Sequence, residues 1–229
     1  MNHDLQISHL SVITDALPVL AGAWFYRNIS KPLVPVYYFY FFVALQDYFS
    51  VLLSLFHIYN VWLMNFYQFI ETLFYLIIFH RQLFKEQHRN ILIVLGSSIS
   101  VFWLYTTIFV YDLNEPNSLM RAVTCLLVVF YSGRVLMKLS RDVSVFLFEN
   151  PFFWIASGCL IYFSVTLLVY SVFPIIVGND YANPIFRPVW AVHSITNIFC
   201  NLLFAITFLC PNKTLRFQQI RSYSFSLSH

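Results

Sequence analysis

Three carboxylic acids lie within long apolar stretches of this sequence: Asp15, Asp47 and Glu71. An acid near the centre of a bilayer costs about 2.5–3.5 kcal/mol on insertion scales, so such residues are seldom there without a function. The sequence places no Lys or Arg at a comparable depth to neutralise them. We therefore expect the acids to be protonated, hydrogen-bonded to amides or histidine, hydrated in a cavity, or coordinated to a cation.

Other polar residues follow helical spacing. Asn65, Gln68 and Glu71 recur at steps of three, and His193, Asn197 and Asn201 recur at steps of four. Both spacings place the side chains on one stripe of a helix, and a polar stripe in lipid must face the protein interior. With Tyr162 at a similar depth, these groups predict a polar intramembrane pocket that opens outward. The predicted ligand-binding residues are Asp15, Asp47, Asn65, Gln68, Glu71, Tyr162, Trp190, His193 and Asn197.

A competing interpretation applies to the amides. Asn and Gln side chains on facing membrane helices often only hydrogen-bond to each other, which contributes about 0.6 kcal/mol per contact. His193 has two interpretations as well, as a structural partner of an acid or as a ligand or proton-relay group. We expect it to contact Asp47 or Glu71, and binding or signalling to titrate between about pH 5 and 8, where histidine changes charge.

Seven apolar stretches must position these residues. They cover 5–25, 33–55, 60–79, 91–111, 118–137, 151–173 and 188–209, and a membrane span needs about 20 mostly apolar residues. Hydrophobic residues make up 59% of the chain and charged residues 10%, too few charges to solvate a globular surface. The sequence predicts an all-α membrane protein, with a seven-transmembrane-helix bundle over 1–210 and a short, partly disordered cytoplasmic tail over 211–229.

The basic residues indicate the orientation. Eleven lie on one side of the seven predicted spans, and only Arg121 and Arg187 lie on the other. The positive-inside rule then predicts an N-out/C-in multi-pass protein, and we expect it in a bacterial inner membrane. The net charge of +3 is explained by topology and anionic lipid, so the lipid bilayer is an expected partner and nucleic acid is not.

A weak internal repeat is present. The run Tyr-Phe-Ser-Val occurs at 48–51 and again at 162–165, and Trp62 precedes Asn65 as Trp190 precedes His193. Helices 1–3 and 5–7 would then form a 3+1+3 parallel repeat, as in some membrane transporters. Chance is the alternative in so aromatic a chain.

The size and topology resemble the broad group of opsins, seven-helix receptors and SWEET-type transporters. Opsins need a lysine on the last helix for retinal, and 188–209 contains none. The alkaline ceramidase and progestin-receptor-like hydrolases bind zinc through an HxxxH motif on a late helix. This chain has His193 and Asn197 at that spacing, one ligand short, so a bound metal is an open question.

A closer resemblance rests on two segments. Asn-Pro-Phe-Phe-Trp-Ile at 150–155, followed by Gly158 and Leu-Ile-Tyr-Phe-Ser at 160–164, and the last-helix series Trp190, His193, Asn197 and Asn201 resemble an uncharacterised seven-helix family of Bacteroidota-type bacteria. The segment 60–71 is similar to that family's third helix. Members are often encoded near two-component sensors, which implies a sensory role.

Together these patterns favour a receptor-like membrane sensor over an enzyme, without deciding between the two. A small ligand, cation or proton would engage the pocket, and the loops 81–90 and 138–150 would pass a shift in helix packing to a separate cytoplasmic partner, such as a two-component sensor. A small-solute or cation/proton-coupled transporter is the first alternative. A metal-dependent intramembrane hydrolase is the second, favoured only if a metal is bound.

Overall fold

The computed structural model describes residues 3–84, 89–112, 115–141, 146–177 and 186–210. Within these ranges the chain is helical and contains no β-strand. The eight α-helices are α1 (His3–Thr14), α2 (Ala16–Trp24), α3 (Val34–Leu55), α4 (Val61–Leu83), α5 (Arg89–Tyr105), α6 (Ser118–Arg141), α7 (Pro151–Val177) and α8 (Phe186–Leu209). The predicted tail at 211–229 lies outside the described residues.

Six of these helices are long and apolar enough to cross a membrane, with α5 counted together with its continuation to Val110. The prediction of a helical multi-pass membrane bundle is confirmed at this level. The helical apolar segment within the first predicted span, 5–25, is shorter than the span itself and covers only Leu10–Trp24. Several helices extend past the predicted spans at one end, since α4 continues to Leu83 and α6 to Arg141.

The helices form a ring. α3, α4, α6, α7 and α8 contact one another in that order, and the α1–α2 pair closes the ring between α8 and α3. α5 lies outside the ring and packs chiefly against α4. This arrangement brings the polar stripes of α4 and α8 to the inside of the ring.

Pro18 explains the division of the first predicted span into α1 and α2. Proline has no backbone N–H and its ring clashes with the carbonyl four residues earlier, here that of Thr14. The chain makes a turn at Asp15, whose N–H donates to Val12 O at 3.2 Å, and α2 begins at the next residue. The break leaves the Asp15 side chain at a helix junction inside the bundle.

Asparagine side chains start two of the ring helices. Asn117 Oδ1 accepts from Met120 N at 3.0 Å at the start of α6, and Asn150 Oδ1 accepts from Phe152 N at 2.9 Å at the start of α7. Each satisfies an N–H that has no partner within the helix.

The helix α5 continues into a π-helical turn over Thr106–Val110, where Tyr111 N donates to Thr106 O at 2.9 Å.

Two glycines allow helices to pack closely. A Cβ at Gly158 on α7 would lie 2.4 Å from the Phe204 ring on α8, and one at Gly22 on α2 would lie 2.3 Å from the Tyr37 ring on α3. No side chain larger than hydrogen fits at either contact without displacing a ring. Close packing of small residues is the usual source of helix association in lipid, where apolar burial contributes little.

Candidate functional site

A cavity of about 380 Å³ lies inside the ring of helices, at the end of the bundle that holds the starts of α4, α6 and α8. Its walls come from α1, α3, α4, α6, α7 and α8, together with Asp15 and the residues just before α6. The nine residues that the sequence predicts for a pocket all line it: Asp15, Asp47, Asn65, Gln68, Glu71, Tyr162, Trp190, His193 and Asn197. Whether they bind a ligand stays a prediction.

An ion pair between Glu71 on α4 and Arg121 on α6 forms part of the wall. It corrects the expectation that no basic residue lies deep enough to neutralise the acids. Arg121 is the fourth residue of α6, and its long side chain carries the guanidinium from the helix end down to the middle of α4. The pair is buried, with side chains 9% and 4% exposed, so each charge depends on the other for its stabilisation.

Aromatic side chains complete the surroundings of this pair. Tyr67 OH donates to Glu71 Oε1 at 3.1 Å, and Arg121 Nη2 donates to Tyr162 OH at 3.4 Å. The guanidinium carbon also lies 5.7 Å from the ring centroids of Phe163 and Tyr170, within the range of a cation–π contact. Arg121 is thus held by α4 and α7 as well as by its own helix.

Asn65 and Gln68 hydrogen-bond to the backbone of the segment before α6, whereas the competing interpretation expected amide side chains of a facing helix as their partners. Asn65 Oδ1 accepts from Asn117 N at 3.1 Å, and its Nδ2 donates to Glu115 O at 2.9 Å. Gln68 Nε2 donates to Asn117 O at 3.5 Å. These bonds attach the segment before α6 to α4 and thereby fix the start of the helix that carries Arg121.

Asp15 anchors the α1–α2 junction to α8. Its Oδ1 accepts from Asn201 Nδ2 at 2.6 Å and from Asn197 Nδ2 at 3.1 Å. The same amides reach Thr14 Oγ1 and Ser11 Oγ at 3.1 and 2.9 Å. The step of four between the two asparagines matches one turn of α8, which is why both meet the same junction.

Asp47 on α3 faces Asp15 across the cavity wall, close enough for the two carboxyl groups to share a hydrogen bond when one is protonated. Two of the three acids therefore meet directly, and the third is paired with Arg121. Asp15 is buried and Asp47 is half-buried. Among the described residues, the two aspartates form no ion pair with a basic side chain.

Among the described residues, His193 forms no hydrogen bond or ion pair with an acid, contrary to the sequence-based expectation. Its ring stacks on Trp190 with centroids 5.3 Å apart and meets the Tyr162 ring at 5.5 Å. Its Nε2 is buried without a hydrogen-bond partner in the described part of the chain. The reason is that Arg121 takes the place beside Glu71, while Asp47 is turned towards Asp15.

Sequence reasoning missed several cavity residues, of which Gln46, Asn117 and Arg121 matter most. The sequence did contain an indication for Arg121, because it is one of only two basic residues on its side of the predicted spans. The sequence contained no such indication for Gln46 or Asn117, because a single amide beside an apolar run has no distinctive spacing. Their positions became visible only in the packed bundle.

No group of three histidine, cysteine, aspartate or glutamate side chains is placed to hold a metal within the described ranges. The hydrolase alternative therefore has no candidate metal-ligand group there.

Comparison of the chain with protein-family models, curated protein sequences and solved structures gives no match.

Proposed function

We propose that this chain is a receptor-like membrane sensor whose cavity binds a small polar ligand. The observation that supports this most is the cavity itself, about 380 Å³ and lined by three acids, an arginine and several amides within an apolar bundle. Ligand sites commonly have volumes of about 300–1,000 Å³ with a few convergent polar groups. Charged groups inside a membrane are costly and usually mark such sites.

The proposed orientation makes the cavity face outward. The ends of the helices away from the cavity carry Arg27, Lys31, Arg81, Lys138 and Arg141. The cavity end carries two basic residues, Arg121, which is paired with Glu71, and Arg187 at the start of α8. By the positive-inside rule the cavity end lies outside, with the N-terminus, in an N-out/C-in arrangement. We propose the bacterial inner membrane as the location, and a two-component sensor or another cytoplasmic protein as the partner.

The α4–α6 pair supplies a route from the cavity to the opposite end of the bundle. Below Glu71 and Arg121, the hydroxyls of Thr72 and Thr124 hydrogen-bond at 2.6 Å. At the far end, Lys138 Nζ on α6 donates to Gln82 O at the end of α4. A ligand that disturbs the ion pair would therefore shift two helices that are linked along their length. Parts of the predicted output loops, 85–88 and 142–145, lie outside the described residues.

Paired spin labels test this route. We would place them at Arg81 and Arg141, both exposed, in a Cys210→Ser background in nanodiscs, and measure their distance with and without ethylamine, glucose or acetate. A solute that binds should shift the distance, and the cavity-blocking variant Val61→Trp, or Met64→Trp if the first misfolds, should abolish the shift. Binding without any change in distance would contradict the sensor proposal.

A cation/proton-coupled transporter is the second candidate, and one observation favours it. A turn at Asp15 divides the first span into α1 and α2, and discontinuous helices form the substrate and ion sites of many secondary transporters. The proposed 3+1+3 repeat would also be consistent with a transporter. Uptake of a radiolabelled solute into proteoliposomes, driven by a pH gradient and lost in Asp15→Asn, would favour the transporter over the sensor.

A further inference from the structure

Two buried acceptors in the cavity receive no hydrogen bond from an amide, a hydroxyl or a basic group of the described residues. They are Asp15 Oδ2, leaving aside a proton shared with Asp47, and Gln46 Oε1, and their residues are only 5% and 7% exposed. An unsatisfied buried polar group costs about 1–3 kcal/mol. Both residues line the cavity, so a ligand with N–H or O–H donors would satisfy them.

Neither aspartate forms an ion pair with a basic side chain in the described part of the chain. Asp15 and Asp47 both line the cavity and are hydrogen-bonding neighbours, and adjacent carboxyls away from water favour a singly protonated pair because like charges repel. Arg121 does not serve them, because its ion pair is with Glu71. Among the described residues, the cavity therefore contains one ion pair, Glu71–Arg121, and one carboxyl pair that forms no ion pair with a basic side chain.

The other titratable groups around the carboxyl pair come from each neighbouring helix. Glu71 and Tyr67 lie on α4, Arg121 on α6, Tyr162 on α7 and His193 on α8. None of them donates a hydrogen bond or forms an ion pair to Asp15 or Asp47 within the described ranges. The donors that reach Asp15 are the neutral amides of Asn197 and Asn201.

Aromatic rings form much of the remaining wall. Tyr40, Tyr67 and Tyr162 line the cavity together with Trp190. The faces of such rings attract ammonium groups by about 0.5–2 kcal/mol. Carboxyls with aromatic walls suit a positively charged amine better than an anion or a sugar.

We propose that the ligand of this cavity is a small organic cation, a primary or secondary amine, that binds in exchange for the proton shared by Asp15 and Asp47. The inference rests on the proposed ligand-binding function and names its substrate class. The ammonium N–H groups donate to the two carboxylates, with Gln46 Oε1 within the same wall as a further acceptor. One proton leaves to solvent for each ammonium that enters, so the net charge of the cavity is unchanged.

Isothermal titration of the full-length protein in nanodiscs tests the exchange. The probes are phenethylamine, its neutral analogue 2-phenylethanol and the anion 3-phenylpropionate, each in phosphate and in Tris so that the buffer dependence of the heat counts released protons. We expect the amine to bind at least tenfold more tightly than either analogue and to release up to one proton. Its affinity should rise about tenfold per pH unit while the pair holds its proton.

Asp15→Asn and Asp47→Asn should each weaken amine binding at least tenfold and abolish proton release. Asp112→Asn is the matched control, the same chemical change at an exposed position away from the cavity, and it should leave both unchanged. Size-exclusion chromatography and thermal unfolding would show that each variant is folded.

The outcomes separate this inference from the proposed function. Equal binding of 2-phenylethanol or 3-phenylpropionate, blocked by Val61→Trp, would overturn the cation inference and leave a ligand-binding cavity. Amine binding with unchanged proton release in Asp47→Asn would overturn the exchange. Failure of all three probes to bind at millimolar concentration would count against both proposals.

Discussion

Arg121 on α6 reaches Glu71 on α4 and forms with it a buried ion pair in the cavity wall. The pair joins the two helices that the Thr72–Thr124 hydrogen bond also joins. The three acids therefore differ in their partners. Glu71 forms an ion pair with Arg121, whereas Asp15 and Asp47 contact each other. The chemistry proposed for the cavity depends on that difference.

Removing only one charge of this ion pair should destabilise the folded protein. Arg121→Gln leaves Glu71 buried without its cation, and we expect it to destabilise the folded protein by about 3–5 kcal/mol. The double variant Glu71→Gln/Arg121→Gln should recover much of that loss because no uncompensated charge remains. Unfolding in detergent mixtures, arranged as a double-mutant cycle, measures both effects.

Arg141→Gln is the control for this cycle, since Arg141 is an exposed residue at the end of the same helix. It should change stability by less than about 1 kcal/mol. A double variant no more stable than Arg121→Gln would show that the guanidinium acts through its tyrosine and phenylalanine contacts instead of through Glu71.

Gly158 should not tolerate a side chain. A Cβ there would lie 2.4 Å from Phe204, so Gly158→Ala must push α7 and α8 apart, and overpacking of this kind costs about 1–3 kcal/mol. Gly133→Ala is a matched control, because nothing lies within 4 Å of its Cβ position, and it should stabilise α6 by up to about 1 kcal/mol. Thermal unfolding of the two variants in one detergent should move in opposite directions.

Asn201 should hold the first two helices in place. Asn201→Leu removes the 2.6 Å bond to Asp15 and the 3.1 Å bond to Thr14 and should cost about 1–3 kcal/mol. Amides near the α1–α2 junction should then exchange faster in deuterium-exchange mass spectrometry. Leu202→Ala, at a half-exposed neighbouring position, should leave their exchange unchanged, and equal acceleration in both variants would contradict the anchoring role.

Cys210 should react slowly with alkylating reagents at neutral pH. It follows the last span, and burial raises the pKa of its thiol to about 11. The thiolate is the reactive form, so at pH 8 iodoacetamide should label it about a hundredfold more slowly than an exposed thiol. The rate should climb as pH approaches 11. The denatured protein provides the reference, and equal rates in the folded and denatured states at pH 8 would contradict this prediction.

The proposed membrane orientation rests on the distribution of basic residues. With eleven of thirteen basic residues on one side of the seven predicted spans, a fluorescent reporter that matures only in the cytoplasm should be active when fused to the C-terminus. Alkaline phosphatase, active only in the periplasm, should be inactive at the same site. The opposite pattern would place the cavity on the cytoplasmic side and reverse the proposed direction of signalling.

The helices were predictable because each depends on local properties of the chain. An apolar run of about 20 residues in lipid has to be helical, since every backbone hydrogen bond must be made within the segment. Such runs identified α3, α4, α6, α7 and α8 to within a few residues. Polar stripes at steps of three and four also indicated which faces of α4 and α8 point inward.

The pairings within the cavity were decided by tertiary structure. Spacing placed Glu71 and His193 on inward faces, but it carries no information on which helix lies opposite or how far a side chain reaches. The ring order puts α6 beside α4, so that Arg121 reaches Glu71 and excludes His193 from it. The break at Pro18 then brings Asp15 to Asp47, a meeting that depends on how three helices pack and that no short stretch of sequence encodes.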